Sequence, residues 1–461
     1  MASQLIDEAR VTVHRDGLPA DTGRFVLYWM QASVRTQDNH ALEYAVRAAN
    51  DASLPVVVGF GLDSDYPEAT PRSLRFLIDG LVDVAGGLKR RNVGFVVRAG
   101  NPLEIAKSLA DDAAAVVMDR NYLREPRIWR TRLTRAVEVP VVEVESNVVV
   151  PVEAASDKRE WAARTIRPKL HDQLDRFATE LATTAVGHRD PPDLDSVDAS
   201  DRTALLDAIG IDDDTEARFS GGEHQAHAAL RRFIDRGLPD YPDAGTTVTG
   251  DLSSHLSMYL HYGHISPIAI LQAVRASDAP EASCDAYLEE LVVRRELAHN
   301  YAWYEPNYDT FRALPDWSRT TLSEHRDDER ERVYTAQELE NAATHDPYWN
   351  AAMVELRETG YLHNRMRMYW GKRILDWTNT PEYAYRVALD LNNRYFLDGR
   401  DPNSFANIGW LFGLHDQAFA ERAVIGKVRP MTRAGLERKI DADEYVRHVE
   451  ELTGVAVMPA E

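Results

Sequence analysis

Phe25-Val26-Leu27-Tyr28-Trp29 is the stretch of sequence that decides the fold of the first part of the chain. The run is continuously apolar and ends in two aromatic residues, which predicts a strand buried on both faces of a sheet. Similar short runs follow it, and amphipathic helical patterns lie between them. The further predicted strands are Pro55 to Phe60, Val93 to Val97, Ala115 to Met118 and Val141 to Val144. This alternation predicts an α/β domain over residues 1–180, built on a parallel, Rossmann-like sheet.

Two helices of this domain have clear limits in the sequence. One is predicted from Asn39 to Ala49, with Asp38 as its N-cap, and the other from Ser73 to Lys89. No G-x-G-x-x-G or Walker motif follows the first strand. We therefore expect neither a dinucleotide fingerprint nor a P-loop at that turn. A ligand at the strand ends fits the pattern, although the sequence does not identify one.

The composition changes after the predicted sheet. Between about residues 186 and 219 Asp, Pro and Ser dominate, with Pro191-Pro192 and the acidic run Asp212 to Glu216. We expect an exposed acidic linker over residues 181–221. Beyond it helical periodicity prevails, which predicts an all-α domain over residues 222–461. Its predicted helices are His224 to Asp235, Ala286 to Tyr304, Pro347 to Glu358 and Tyr361 to Trp377.

The net charge of −21 argues, taken by itself, against a nucleic-acid partner. Lysine is scarce and acidic residues are crowded, however, which is typical of a protein from a salty cytoplasm. In that setting the net charge reflects the solvent, and local charge decides the partner. The basic residues of the C-terminal half indicate either a basic patch or scattered surface arginines: Arg294, Arg295, Arg365, Arg367, Lys372, Arg373, Arg422, Lys427 and Arg429.

The sequence also indicates where in the cell the protein is located and which kinds of site it lacks. No apolar run approaches the roughly 18 residues of a membrane helix, and Met1 to Thr12 lacks the apolar centre of a signal peptide. We expect a cytoplasmic, monomeric protein. The one cysteine, Cys284, excludes an intramolecular disulfide and a Cys-rich metal site, and no metal is expected.

Tryptophan is concentrated late in the chain, where six of the nine residues lie beyond residue 300. Trp370 and Trp377 are seven residues apart on one predicted helix. They therefore share a face, with Cα atoms about 10 Å apart at ~1.5 Å per residue. The spacing fits core packing and a string of oxidisable rings equally well.

Three long motifs connect this region to a known family. Thr344-His345-Asp346-Pro347-Tyr348-Trp349-Asn350, the run from His363 to Lys372, and Leu397-Asp398-Gly399-Arg400-Asp401-Pro402-Asn403 resemble class II cyclobutane pyrimidine dimer photolyases. Supporting matches are Glu289 to Leu297, Val26 to Met30 and Gly426 to Arg429. The resemblance covers nearly the whole chain. It implies a deoxyribodipyrimidine photo-lyase: an antenna domain, a helical FAD-binding domain, and light-driven repair of dimers in DNA.

The resemblance also implies how FAD is held. The segment Ser253, Ser254, Leu256 and Ser257 resembles the family's phosphate-gripping segment, although an ordinary Ser-rich helix cap is the alternative. Tyr241 resembles a flavin-contacting tyrosine, and Asn392 resembles the residue beside flavin N5. Arg367 and Asp398 resemble a charged pair next to the isoalloxazine, with Asp401 nearby. A purely structural salt bridge would be the alternative for that pair.

On the substrate side, Glu290 resembles the carboxyl that hydrogen-bonds the dimer's carbonyl edge, and Glu296 is the runner-up. Donating a proton there requires a raised pKa. Met368 and Trp410 resemble the apolar walls that hold a flipped-out dimer, and Asn364 is expected at the same site. Because the cytoplasm is expected to be salty, affinity should rest on the flipped dimer more than on phosphate contacts.

Trp370, Trp349 and Trp377 match the family's electron-transfer chain, in that order outward from the flavin to the surface. His40 stands where many members have Trp, and Met258 replaces a frequent Pro. The antenna chromophore is therefore open between a deazaflavin, a folate and none. Two other functions stay open from the sequence: a cryptochrome-like photoreceptor without repair, and a flavoprotein of dark electron transfer. Retention of Glu290, Met368 and Trp410 together favours repair.

Overall fold

The computed structural model describes residues 6–188, 190–212, 217–242, 247–250 and 252–458. Residues 1–5 of the N-terminal stretch and 213–216 of the acidic run lie outside this range. The chain divides into two compact units. Unit 1 comprises residues 1–157, 168–231 and 255–277, and unit 2 comprises residues 158–167, 232–254 and 278–461. The domain limits at residues 180 and 222 stay predictions about the sequence.

Unit 1 contains a six-stranded sheet with the order β1-β6-β5-β2-β3-β4. The strands are β1 (Val11–Arg15), β2 (Phe25–Trp29), β3 (Val56–Leu62), β4 (Gly94–Ala99), β5 (Ala113–Asp119) and β6 (Val141–Val144). Every neighbouring pair is parallel except β1 with β6. The predicted fold class is confirmed, and antiparallel β1 is the strand that the sequence did not predict.

Strand β2 is buried on both faces, as its composition predicts. Val26 and Tyr28 belong to one apolar core, while Phe25, Leu27 and Trp29 belong to a second core on the opposite side. Successive side chains of a strand point to opposite faces, so a strand between two cores has no polar position. This explains why the run reads as continuously apolar.

The carboxyl end of β2 lies where the strand order reverses, which is where open α/β sheets bind ligands. Here the backbone N–H groups of Gln31, Ala32 and Ser33 donate to the Asp119 carboxylate at 2.9, 2.9 and 2.6 Å. Burial raises the pKa of Asp119, against these hydrogen bonds. The amides that a phosphate would need at this turn are thus already bonded within the chain.

The helices up to residue 277 are α1 (His40–Asp51), α2 (Pro71–Arg91), α3 (Pro102–Ala110), α4 (Arg124–Ala136), α5 (Val152–Ala155), α6 (Ala163–His171), α7 (Leu174–Phe177), α8 (Arg202–Ala208), α9 (Glu223–Arg236), α10 (Leu256–His261) and α11 (Pro267–Arg275). The predicted N-cap of α1 is wrong by one residue. The Asn39 side chain accepts from the N–H of Leu42, while Asp38 adopts a left-handed conformation with φ of 47°.

The expected exposed linker packs against unit 1 over part of its length. Val197 forms an antiparallel bridge with Val97, and Leu205 and Leu206 of α8 are buried in the core that contains Val26. These residues are therefore not part of an exposed connector, whereas most other described residues of the stretch are exposed or half-buried, and the linker limits stay a prediction. The apolar residues are too sparse among Asp, Pro and Ser to show a periodic pattern, yet they are the ones that pack.

The later helices are α12 (Glu281–Leu288), a π-helix (Glu289–Arg294), α13 (Arg295–Tyr304), α14 (Asp316–Glu324), α15 (Ala336–Glu340), α16 (Pro347–Thr359), α17 (Asn364–Trp377), α18 (Pro381–Tyr395), α19 (Pro402–Leu411), α20 (Arg433–Glu437) and α21 (Ala442–Thr453). The helix predicted over Ala286 to Tyr304 contains the π-helix in its middle. Among the described residues, none of the helices has the length and apolarity to cross a membrane.

Candidate functional site

Arg367 and Asp398 form an ion pair in unit 2. The guanidinium of Arg367, on α17, donates to both carboxylate oxygens of Asp398 at 3.0 to 3.2 Å. Its central carbon also lies 3.9 Å from the centre of the Phe396 ring. The structure therefore holds together the two residues that the motifs single out, and it holds the cation in a fixed position.

The turn that carries Asp398 is rigid for a steric reason. A Cβ at Gly399 would lie 2.7 Å from the carbonyl oxygen of Asn393 and 2.9 Å from that of Asn392. Only glycine fits such a close approach. Asn392 is buried, and its amide donates to Asn393 Oδ1 at 3.1 Å, which also accepts from the N–H of Arg400. The turn thus fixes Asn392 and Asp398 together.

Asp401 caps the helix that follows this turn. Its carboxylate accepts from the N–H of Asn403 at 2.8 Å and from the Asn403 amide at 2.9 Å. The residue is buried at the start of α19. The structure therefore gives Asp401 a capping contact, and its predicted place near FAD stays a prediction.

Two tyrosines hold the serines of the predicted phosphate-binding segment. Ser254 is hydrogen-bonded to Tyr287, and Ser253 to Tyr361. Burial raises the pKa of both tyrosines to about 12, so the two hydroxyls stay protonated at neutral pH. The Tyr287 ring also meets Tyr241 edge-on, with ring centres 5.2 Å apart. Two of the predicted cofactor residues, Ser254 and Tyr241, are thus joined through Tyr287.

Leu256 and Ser257 are placed differently from these serines. Leu256 is buried as the first residue of α10, whereas Ser257 is exposed. Both belong to unit 1, while Ser253 and Ser254 belong to unit 2. A joint role of the four residues in binding a diphosphate stays a prediction.

The surroundings of Arg295 show that this region fits an anionic dinucleotide such as FAD. The side chain is buried, and within the described residues its Nη1 has no hydrogen-bond partner. Its positive charge is felt by Tyr287, the partner of Ser254. Burying an unpaired guanidinium is costly, so a site of this kind is completed by an anion. Hydroxyls, an amide and an uncompensated cation fit the diphosphate and ring of FAD.

His299 supplies a neutral group on the next turn of α13. Its Nδ1–H donates to the carbonyl oxygen of Arg295 at 2.8 Å. Burial and the charge of Arg295 lower the pKa of His299 to about 3, against the opposite effect of Asp401. The histidine is therefore neutral at physiological pH and adds no charge that would compete with Arg295 for an anion.

Glu290 lies on the π-helix with its side chain accessible to solvent. Protein atoms crowd it on the remaining sides, and this partial desolvation, together with the charge of Glu289, raises its pKa in spite of Arg294. Glu296, the runner-up, is buried. Of the two predicted carboxyls, Glu290 is thus the one that a substrate can reach. π-Helices are frequent at functional sites.

Asn364, Met368 and Lys372 are spaced four residues apart on α17 and so share one face. Asn364 is exposed and Met368 is half-buried. The buried ammonium of Lys372 donates to the carbonyl oxygen of Leu411 and lies 5.1 Å from the centre of the partly exposed Trp410 ring. This face therefore leads from the predicted substrate residues Asn364 and Met368 to Trp410.

The three predicted electron-transfer tryptophans are buried and connected. The indole N–H of Trp349 donates to the carbonyl oxygen of Trp370 at 2.8 Å, and the rings of Trp349 and Trp377 meet edge-on at 5.9 Å. On the other side, Trp370 meets the Phe396 ring edge-on at 6.0 Å. Phe396 thus contacts both the Arg367 guanidinium and the first tryptophan.

Trp377 is not the surface end of this series, contrary to the prediction. It is 3% exposed, because the Arg373 guanidinium covers its ring at 4.6 Å. Tyr334 and His345, both half-buried, meet the same ring at 5.7 and 5.1 Å. The sequence did not single out Tyr334, and His345 entered only as part of a motif. No periodic pattern connects residues so far apart in the chain.

Comparison with known proteins places these features in a family. The family model described as DNA photolyase matches residues 26–186. A deoxyribodipyrimidine photo-lyase of Methanothermobacter thermautotrophicus is 45% identical over 93% of this chain and 95% of its own length. That of Oryza sativa is 37% identical over 93% of this chain and 88% of its own length.

Solved structures show the same fold. A class III photolyase from Agrobacterium tumefaciens superposes with a TM-score of 0.72 at 19% identity, covering 94% of this chain and 87% of its own. An archaeal photolyase from Sulfolobus tokodaii, solved with two FAD molecules, gives 0.66 at 17% identity, covering 92% and 89%. The 45% and 37% sequence identity to two photo-lyases over nearly the full length, together with the shared fold, shows that the chain belongs to the deoxyribodipyrimidine photo-lyase family.

Proposed function

We propose that this chain is a class II photolyase, which uses light to split cyclobutane pyrimidine dimers in DNA. The observation that carries the proposal is the continuous set of contacts in unit 2 from the Arg367–Asp398 pair, through Phe396, to Trp370. A cation of fixed position beside a series of buried oxidisable rings suits light-driven electron transfer. The class II motifs around Trp349 and Trp370 support the finer assignment.

Bound FAD would supply the redox chemistry of the reaction, an electron from its light-excited reduced state. Arg295, Ser253 and Ser254 would hold its diphosphate, and Tyr241 would contact the flavin. Arg367, kept in place by Asp398, would set a positive charge beside the ring system. Asn392 would offer an amide that donates or accepts as the ring requires.

Glu290 would hold the dimer by its carbonyl edge. The raised pKa keeps a larger fraction of this carboxyl protonated than an ordinary glutamate would have, and a protonated carboxyl donates a hydrogen bond. Met368 and Trp410 would contact the faces of the flipped-out dimer, with Asn364 beside them. A damaged base pair costs less to open than an intact one, so this site selects dimers without reading sequence.

Trp370, Trp349 and Trp377 would carry electrons inward to the cofactor site. This route prepares the enzyme and is separate from the repair step, which needs Glu290, Met368 and Trp410. A photoreceptor without repair would have no need of those three residues. Their presence in one unit with the tryptophans is why we favour repair over signalling.

Unit 1 offers a place for an antenna chromophore. A cavity of about 320 Å³ is lined by His40, Arg10, Arg176 and Phe177, among others. His40 is buried, and within the described residues its Nδ1 has no hydrogen-bond partner. A deazaflavin and a folate have separable absorption bands, so the spectrum of the purified protein decides between them.

The direct test is light-dependent repair. FAD-loaded, chemically reduced protein is mixed with an oligonucleotide containing one thymine dimer, and one half of the sample is illuminated. We expect intact thymines to appear only in the light. Dimers that persist under illumination in FAD-loaded protein would contradict the proposal.

A further inference from the structure

Trp161 is an exposed indole in unit 2. It is 64% exposed and is the one aromatic residue among the large apolar side chains that are exposed in the described part of the chain. A single exposed apolar side chain is common at a protein surface, so the indole becomes informative only through the groups fixed around it. Neither the cofactor residues nor the predicted substrate residues account for it.

The side chain of Arg159 packs against the indole ring of Trp161. The Arg159 guanidinium lies between two rings, 5.2 Å from the centre of Trp161 and 5.1 Å from that of Tyr301. It is also bonded to Glu305 at 2.5 Å and to the carbonyl oxygen of Ala313 at 3.0 Å. One face of Trp161 is thus fixed on a rigid support, and the residue keeps a large exposed area.

The segment that carries Trp161 is hydrogen-bonded at both ends to one continuous helix, which consists of the π-helix that contains Glu290 and of α13. At one end Asn300 accepts from the N–H of Glu160 at 2.8 Å and donates to the carbonyl oxygen of Lys158 at 2.9 Å. At the other end Arg167 donates to both oxygens of Glu289 at 2.7 and 2.9 Å. The segment therefore runs along this helix and ends beside the candidate substrate residue.

Arginine side chains follow Trp161 along the segment and on the neighbouring π-helix. Trp161, Arg164 and Arg167 are spaced three residues apart, and Arg164 is exposed. Arg294 shares the Glu289 carboxylate with Arg167, so that two guanidinium groups face one shared carboxylate. In a chain with a net charge of −21, an exposed indole with adjacent cations is a local exception.

We propose that Trp161, Arg164, Arg167 and Arg294, here called the Trp161 stripe, bind the DNA strand that flanks the dimer, with a base stacked on the exposed face of Trp161. The inference rests on the proposed function. An indole platform with neighbouring arginines is what an unpaired strand needs, since bases stack on aromatic rings and phosphates pair with guanidinium groups.

The position of the indole decides on which side of the dimer the contact lies. Trp161 precedes α6 by two residues, and Arg167 of α6 is bonded to Glu289, the neighbour of Glu290. The contact should therefore involve a nucleotide outside the dimer, on one side of it only.

The test uses the full-length, FAD-loaded protein and a fluorescent oligonucleotide with one thymine dimer. We expect Trp161→Ala to raise the Kd about 5- to 150-fold, the range of one base–aromatic stacking contact, and Arg164→Gln to raise it less. FAD content and photoreduction should be unchanged. Val333→Ala and Arg386→Gln, which alter exposed residues elsewhere in unit 2, serve as matched controls.

A second substrate locates the contact. When the strand is cut so that it ends at the dimer on the contacted side, wild type and Trp161→Ala should bind with equal affinity. If wild type repairs dimers but binds the uncut substrate with the same affinity as Trp161→Ala, the inference is overturned and the proposed function stands. A Trp161→Ala change that alters sedimentation but not DNA binding would assign the surface to a second copy of the chain and also overturn it. A wild type that neither binds nor repairs dimers would refute both proposals.

Discussion

The indole N–H of Trp349 donates a hydrogen bond to the backbone carbonyl oxygen of Trp370 at 2.8 Å. Trp370 and Trp377 lie on α17, and the ring between them comes from α16. The hydrogen bond fixes that ring, which then meets Trp377 edge-on at 5.9 Å. The two indoles that the sequence places on one helix face are thus connected through a third from another helix.

Trp349→Phe should interrupt this connection. Phenylalanine keeps most of the buried volume but is harder to oxidise and cannot donate to Trp370. We expect photoreduction of the oxidised enzyme to fall at least tenfold, while chemically reduced enzyme repairs dimers at the wild-type rate. Absorption under steady illumination measures the first and dimer loss measures the second. Trp317→Phe, on α14, is the control, and equal photoreduction in both variants would refute the role of Trp349.

Glu290 should make dimer binding depend on pH. Its pKa is raised by partial desolvation and by the charge of Glu289. The protonated donor is therefore lost as pH rises through this raised pKa, above that of an ordinary glutamate, and affinity for the dimer should fall in the same window. Fluorescence anisotropy across that window measures the Kd.

Glu290→Gln provides the comparison for this pH dependence. Its amide donates at every pH, so its binding should stay flat where wild type weakens. Glu289→Gln removes a charge that raises the pKa of Glu290, so it should keep the direction of the wild-type trend but move it to lower pH. If Glu290→Gln and wild type give parallel pH profiles, Glu290 does not donate to the substrate.

Asp398→Asn should weaken FAD binding through Arg367. The variant removes the charge that holds the guanidinium at 3.0 to 3.2 Å and leaves a half-buried cation without its partner. We expect a loss of about 1–3 kcal/mol, shared between FAD affinity and stability. Calorimetric titration of apoprotein with FAD measures the affinity. Glu382→Gln breaks an exposed ion pair with Arg326 and should leave FAD binding unchanged.

Lys372 should make the stability of the protein depend on pH. Burial lowers its pKa to about 7, from an ordinary value of 10.5 that it keeps in the unfolded chain. Between these values the unfolded chain binds the additional proton, so the free energy of unfolding contributed by this residue rises with pH. Below pH 7 the folded protein carries the full cost of a buried ammonium.

Lys372→Met removes this titration. The difference in unfolding free energy between wild type and variant should therefore shift in favour of wild type as pH rises from about 7 to about 10. Urea unfolding at several pH values measures it. A difference that stays constant over this range would show that Lys372 does not titrate there.

The sequence predicts the parts of the fold that rest on local pattern. Strand β2 has the predicted bounds because a continuous apolar run can only be buried there, and β6 has them although the buried Glu143 interrupts its valines. Strand β1, with His14 and Arg15 at its end, is half-exposed and lacks such a pattern. The sequence does not distinguish the π-helix around Glu290 from an α-helix, because the hydrogen-bond spacing of the two differs by only one residue.

The candidate site follows the same division. Motif resemblance brought Arg367, Asp398 and the three tryptophans to attention, and the structure joins them. Phe396 and Arg295 became candidates only in three dimensions, since one contacts two separate motif residues and the other is defined by a missing counterion. Such features depend on contacts between distant parts of the chain, which spacing along the sequence does not encode.

The most direct test of repair measures chemically reduced and oxidised enzyme, each at two light doses. Wild type and Trp349→Phe, each loaded with FAD, are illuminated with thymine-dimer oligonucleotide after chemical reduction or in the oxidised state, and restored thymine is counted. We predict that reduced samples of both proteins restore thymine in proportion to light dose, whereas oxidised Trp349→Phe lags far behind oxidised wild type. Reduced wild type that restores no thymine at either dose would contradict the assignment of this chain as a DNA repair enzyme.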